Sequence, residues 1–462
     1  MSRPRADGVG PGRAGWVVGA AIVVGFLLRV AWAWWATREP QGSNDPVLYL
    51  GLAERFASGQ GYVGPTGAPT AYFPPGYPLV LGAVFRGASA LGIDGSRPAL
   101  ASGLNVVLGT ATVALLALLA VRLFGWRVAA VVAVLAACLP TLVGYSSLTL
   151  GEPLFIFLVV LALVLALWEP LGAAPAPWLR LAGAAMTLGL ALLVRPVGAL
   201  LVVALVVGVA LSVDRRRAIG LSAMVVGVVA VVLVPWAVRN AAVVDAGLTL
   251  STNTGDNLCI GNNPEAGGTF AIPGYCFDDL PDQDGPADIA EVTRARVTQE
   301  RAIDWMTSDP LAQPRLVLLR TAATFQHGHD FRWASQSYGA DLWLDDSTSV
   351  LVDWAADGPW FAVIALGLCG LPILWDRRDP RRIVVLLSII GLSTAAWPFF
   401  GNPRFGVPAV ALMILPAAMV LSGLPAWWRT ARSTPDADPA YGEFGGLVGA
   451  PAEGVRPAAA KS

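Results

Sequence analysis

Ten stretches of this chain are apolar over roughly the length a helix needs to cross a bilayer, and that repetition limits what it can fold into. They run Ala14–Ala36, Pro98–Val121, Trp126–Tyr145, Glu152–Trp168, Leu179–Val194, Val197–Leu211, Ala218–Trp236, Pro359–Trp375, Ile383–Phe400 and Phe405–Leu424. In hydrocarbon each backbone N–H and C=O must find its partner inside the segment, so such stretches are helices. A core about 30 Å thick takes about 20 helical residues. Of the 462 residues, 55% are hydrophobic and 14% charged, which excludes a soluble protein of this size. The fold class expected is all-α and polytopic. The first stretch is too long for a signal-peptide core and leads into Trp34-Trp35 instead of a small-residue cleavage site, so it reads as a retained anchor.

Charge settles two ambiguous segments. Gly76–Phe85 is apolar for only ten residues before Arg86, and Leu179–Leu211 is either one long helix or two meeting at Arg195-Pro196. Suppose the first does not cross and the second is a hairpin. Then Arg3, Arg5, Arg13, Arg122, Arg127, Arg215–Arg217, Arg377, Arg378, Arg381, Arg382, Arg429 and Arg432 all fall on one face, as the positive-inside rule requires. Changing either assignment alone breaks that agreement. The expectation is ten spans with both termini cytoplasmic: a tail at 1–13, spans 1–7 over 14–236 with a first outer loop at 37–97, a large outer loop at 237–355, spans 8–10 over 356–425, and a disordered cytoplasmic tail at 426–462. Residues 240–350 hold 16 of the 32 acids against 6 Arg. A loop that long is expected to carry structure, with a helix near Ala287–Met306 ended by Asp309-Pro310 and a second amphipathic stretch at Leu316–Phe325.

The outer face gathers the polar motifs. Asn44-Asp45-Pro46 follows the first span, and Tyr72-Phe73-Pro74-Pro75-Gly76-Tyr77-Pro78 closes the same loop. Displacing a phosphate from an anomeric carbon needs one general base and cationic groups for the leaving phosphate. Asp45 is the candidate base, against a plain reading as helix N-cap before Pro46. Glu152, where span four begins, either orients an acceptor, binds a metal or favours a helix N-terminus. Arg404, Arg195 and Arg29 are the phosphate candidates, because a guanidinium matches phosphate in bidentate fashion; Arg29, near the outer end of span one, has the alternative of snorkelling. Tyr49, Tyr72 and Tyr77 stack on a sugar, line a lipid groove or form an interfacial belt. Asn262 and Asn263 bind sugar hydroxyls or make a turn. His327 and His329 lack further ligands at a readable spacing, so no metal is assigned; His329 is kept as a donor-binding candidate. Cys138 and Cys369 read as small core residues. Cys259 and Cys276 share the outer loop, where a disulfide is permitted if that face is oxidising.

There is no Walker A sequence, no G-x-S-x-G and no H-E-x-x-H, so no nucleotide or organic cofactor is expected. Asn44-Asp45 with Tyr49, the Tyr72–Pro78 turn, Gly151-Glu152-Pro153-Leu154-Phe155, Arg195-Pro196, Gly261-Asn262-Asn263-Pro264 and Arg404-Phe405 together resemble the GT-C glycosyltransferases. Over about Arg29–Leu424 the chain is most similar to the bacterial protein mannosyltransferase and aminoarabinose transferase group. The resemblance implies a GT-C-like bundle with outer-face juxtamembrane helices, in a bacterial plasma membrane. It also implies inverting transfer of a sugar from a polyprenyl-phosphate donor to an acceptor protein, lipid or cell-wall glycan, with an acid of the first outer loop as base. Membrane lipids are the other expected partners, and nucleic acid is not one. Relatives carry an Asp-Glu pair, or a Lys before the Pro-rich turn, where this chain has Asp45-Pro46 and Phe73-Pro74. The rival readings are a transporter or lipid-linked sugar flippase, and a scaffold without chemistry. A transporter wants broken or polar helices at the midplane and related halves, and no repeat is visible.

Overall fold

The computed structural model describes residues 12–172, 177–281 and 287–432. Residues 1–11 of the expected N-terminal tail, and the tail from residue 433, lie outside these. Residues 1–422 form one compact unit; residues 423–462 form a second, of which only the end of one helix is described.

Each of the ten apolar stretches is helical. The first is α1 (Gly12–Ala36), followed by two amphipathic helices of the first loop, α2 (Asp45–Ala57) and α3 (Gly76–Ala90). Then come α4 (Arg97–Phe124), α5 (Trp126–Cys138), α6 (Pro140–Gly144), α7 (Glu152–Leu167), α8 (Pro177–Val194), α9 (Ala199–Ala210) and α10 (Arg215–Val243). The large loop holds α11 (Asn253–Gly261), α12 (Gly274–Phe277), α13 (Ala287–Ser308), α14 (Ala312–Phe325) and α15 (Asp330–Ser335), and the chain returns through α16 (Asp346–Leu374), α17 (Pro380–Thr394) and α18 (Pro403–Arg432). Helix α13 stops before Asp309-Pro310, as its sequence requires.

Among the described residues, six helices are each long and apolar enough to cross a membrane (α1, α4, α8, α10, α16 and the Pro403–Gly423 part of α18), and Trp126–Cys138 with Pro140–Ser147, bent by 54°, passes the same test as a pair. Helices α7, α9 and α17 have 16, 12 and 15 residues. They are short because the chain leaves α-helical geometry in the segments Ser146–Gly151, Arg195–Gly198 and Ala395–Asn402, which turn in towards one end of the bundle.

The bend in the seventh span explains Arg29. Pro140 has no N–H to give, and the break at Leu139 leaves the last carbonyls of α5 without helical partners. Arg29, 1% exposed, supplies them: Nη2 donates to Ala136 O at 3.1 Å and Nη1 to Ala137 O at 3.3 Å and Gly25 O at 2.9 Å. Gly25 and Gly109 leave room for the side chain, since a Cβ on either would crowd it. Arg29 therefore caps a broken helix. Cys138 and Cys369 are exposed on the bundle's outside, not in its core.

Helices α7 and α18 form the centre: nearly every residue of α7 is buried, as is the stretch from Gly406 to Ala418. The large loop docks on the first through Glu291 of α13, whose carboxylate accepts from Thr70 Oγ1 (2.6 Å), Ala71 N (3.0 Å) and Thr252 Oγ1 (2.6 Å). Cys259 and Cys276 are joined in a disulfide that ties α11 to α12.

Candidate active site

Four charged residues, each placed by a helix start or chain turn, meet at one end of the bundle. Asn44, not Asp45, caps α2: its Oδ1 accepts from Val47 N at 3.4 Å and its backbone is extended. Asp45 is the first helical residue, so its carboxylate is free of the capping role and pairs instead with Arg404, Nη1 to Oδ2 at 2.6 Å. Arg404 sits in the first turn of α18, where Asn402 Oδ1 accepts from its backbone N–H at 3.0 Å. Its Nε donates to Glu152 Oε1. Glu152 opens α7, and the same oxygen accepts from Arg195 Nη2. Arg195 lies extended before Pro196, as a residue preceding proline must, with its guanidinium 5.5 Å from the Phe405 ring centroid.

Exposure separates these groups. The Glu152 side chain is 0% exposed, Arg404 10%, Arg195 14% and Asp45 34%. Glu152 is sealed beneath two guanidiniums, whereas Asp45 can be reached from outside. One Glu152 oxygen serves both arginines; the other is buried without a hydrogen-bond partner among the described residues. Two carboxylates and two guanidiniums leave no net charge, so an arriving phosphate makes the cluster net negative and competes with Asp45 and Glu152 for the two guanidiniums. In Arg404, Nε serves Glu152 and Nη1 serves Asp45, which leaves Nη2 free of both carboxylates.

The tyrosines build the floor. Tyr77 and Tyr49 are in edge contact at 5.5 Å, Tyr49 meets Phe73 at 4.9 Å, and Phe73 meets Tyr72 at 4.9 Å. Tyr49 is 8% exposed and Tyr77 1%, so they carry the α2–α3 corner and present no open face for stacking. Burial, then the Asp45 charge, pushes the Tyr49 hydroxyl well above its usual range. Tyr72 turns away, donating to Asp256 Oδ2 at 3.1 Å. Asp256 is buried beside Arg294 (3.2 Å), and burial raises its carboxyl above the usual range.

The large loop adds groups that the sequence did not single out. Asp330 is buried beside the cluster and accepts from Tyr145 hydroxyl at 3.0 Å; burial raises its pKa. Tyr338 lies in left-handed backbone (φ 55°), a strained conformation for an aromatic residue and a frequent mark of functional sites. Asp330 had one signal, its place next to the two histidines; Tyr338 had none. His329 does not reach the cluster, because its Nδ1 is held by Asp357 at 2.9 and 3.0 Å and its ring stacks on His327 at 4.0 Å. Burial lowers the His327 pKa to about 4. Among the described residues no three His, Cys, Asp or Glu side chains converge as a metal site requires, and between Asp45 and Glu152 stands the Arg404 guanidinium. Asn262 and Asn263 bind the protein itself. Asn262 Nδ2 donates to Leu258 O and Pro398 O, both at 2.8 Å, and Asn263 Nδ2 to Cys259 O and Ile260 O at 2.9 and 3.0 Å. They close the end of α11.

No family model matches the chain, and no curated protein does. Solved structures do. The oligosaccharyltransferase AglB from Archaeoglobus fulgidus, in complex with an inhibitory peptide and a dolichol-phosphate, superposes with TM-score 0.53 at 15% identity, over 94% of this chain and 53% of that one. The Archaeoglobus fulgidus enzyme tethered to an acceptor peptide containing the NVT sequon gives 0.53 at 16%, over 92% and 51%. ArnT from Cupriavidus metallidurans bound to undecaprenyl phosphate gives 0.41 at 17%, over 93% and 82%. The chain spans about half the length of the oligosaccharyltransferase. What the chain shares with that enzyme is the fold of its helical membrane domain.

Proposed function

We propose that this GT-C-fold protein is a membrane glycosyltransferase that moves a sugar from a polyprenyl-phosphate donor to an acceptor hydroxyl at the extracytoplasmic face of a bacterial plasma membrane, with inversion. The observation that carries this reading is the Asp45–Arg404–Glu152–Arg195 cluster, a reachable carboxylate beside two guanidiniums held together by a buried one. Asp45 takes the acceptor's proton as that oxygen attacks the anomeric carbon. The carbon–oxygen bond to phosphate breaks on the opposite side, and the departing polyprenyl phosphate gains negative charge. Arg404 and Arg195 face that charge with donors already in place, the arrangement that lowers such barriers most. Glu152 holds together two guanidiniums that would otherwise repel.

The test is purified protein in liposomes supplied with polyprenyl-phosphate sugars and candidate protein, lipid and cell-wall glycan acceptors. Covalent transfer with release of polyprenyl phosphate is expected. Movement of intact donor across the bilayer without a bond change would replace this reading with that of a flippase, and neither outcome would leave a scaffold.

A further inference from the structure

We propose that Arg320 of α14 is a positioning residue: it fixes the segment that carries Arg404, so the large loop and not the helical bundle alone sets the aim of the phosphate-binding guanidinium. This rests on the function proposed above. Arg320 is 1% exposed with no acidic partner among the described residues, an unusual state for a charge. Its donors go instead to backbone and amide oxygens on two segments far apart in sequence. Nη1 donates to Trp397 O, and Nη2 donates to Gly261 O at 2.7 Å and Asn262 Oδ1 at 2.9 Å. Asn262 extends the strut through its bond to Pro398 O. Trp397 Nε1 donates to Thr321 Oγ1 at 3.0 Å, and Gly401 N to Gly268 O at 2.7 Å.

The close approach explains two glycines. A Cβ on Gly401 would enter the Arg320 carbonyl, and one on Gly406 the Thr324 carbonyl. Residues 397–401 are thus fastened to α14 and α11 immediately before Arg404, and α11 is itself closed by the Cys259–Cys276 disulfide. A lysine at 320 would keep the charge but, as a single point donor, cannot bridge the same oxygens.

The experiment is a double-mutant cycle on the full-length protein, reading binding of undecaprenyl phosphate as probe. Arg320→Lys and Arg404→Ala are made singly and together, with melting temperature measured alongside. Asn262→Ala, which removes one acceptor of the strut and its link to Pro398, serves as a milder variant should Arg320→Lys not fold. Arg320→Lys or Asn262→Ala is expected to weaken binding about tenfold, with little further loss when added to Arg404→Ala, because residues acting through one another are non-additive. Additive losses, or unchanged binding in the strut variants while Arg404→Ala weakens it, would overturn the positioning role. Unchanged binding in Arg404→Ala would instead sink the assignment of Arg404 to phosphate.

Discussion

The two ends of the bundle use charge in opposite ways. At the end carrying the candidate site, ion pairs join residues 43, 252 and 359 positions apart, from four separate chain segments. At the other end the pairs are local: Arg381 with Asp379 two residues away, Arg382 with Asp376 six away, and Arg180 with Glu169 across one connection. There the arginines also lie on aromatic rings, Arg122 3.5 Å from Trp168 and Arg382 5.4 Å from Phe124. Local pairs trim helix ends and follow from short-range sequence. Long-range pairs between buried groups must recover a large desolvation cost, and their geometry reports how the segments are assembled.

The contrast can be broken by mutation. Glu152→Leu leaves Arg404 and Arg195 facing each other without their shared carboxylate, and losing one member of such a buried network costs about 3–5 kcal/mol. A sharp drop in melting temperature is expected; a change as small as that at the other end would erase the distinction. Asp45→Asn keeps shape and can still accept from Arg404, so folding and polyprenyl-phosphate binding should persist. Sugar transfer should fall at least about a hundredfold, the lower range for removing a general base. Near wild-type turnover would move the base elsewhere.

A smaller effect is expected in the His327–His329 stack, which is faced by Asp353, Asp357 and Arg332. Folding lowers the His327 pKa from 6.5 to about 4, chiefly through burial. The unfolded chain therefore binds this proton first. His327 contributes stability that is whole above pH 6.5 and lost as pH falls towards 4. Melting temperature should decline over that window by the equivalent of about 1 kcal/mol after allowance for solvent screening. His327→Gln should flatten the decline, and an identical slope in the variant would show that other groups cause it. Smallest of all, Arg382→Ala at the far end removes a partly exposed pair at 3.3 Å. It should cost under about 1 kcal/mol and leave transfer unchanged.

The same division governs what could be read from sequence. The helices were legible because apolar length and Pro-marked ends are local properties; Asp309-Pro310 stops α13 where expected. Asp45, Glu152, Arg195 and Arg404 were legible as a set because each is a charge that the topology puts at one bundle end, although nothing in sequence says that one Glu152 oxygen serves both arginines. The capping role of Arg29 was not legible because its partners are backbone carbonyls 107 and 108 positions away, and carbonyls carry no sequence signal. The backbone bonds of Asn262 and Asn263 were hidden likewise: an amide that binds backbone looks, in sequence, like one that binds sugar. Asp45 was weighed as a cap because Asp-Pro is a common start, yet Asn44, one residue earlier, takes the role. Three spans fell short of full length because the turns beside them cut into the apolar stretches.

The pairing of Arg29 with the broken end of α5 also bears on the order of biogenesis. An uncompensated guanidinium within a span is costly, as are carbonyls open to lipid. Arg29 enters with the first helix, while its acceptors at Ala136 and Ala137 are made 107 and 108 residues later. Until α5 arrives, neither helix is at ease in hydrocarbon alone. Before that, Gly25 O of its own helix is the one of these three acceptors within reach of the guanidinium, so the polar contacts of the first span are completed only when α5 packs against it.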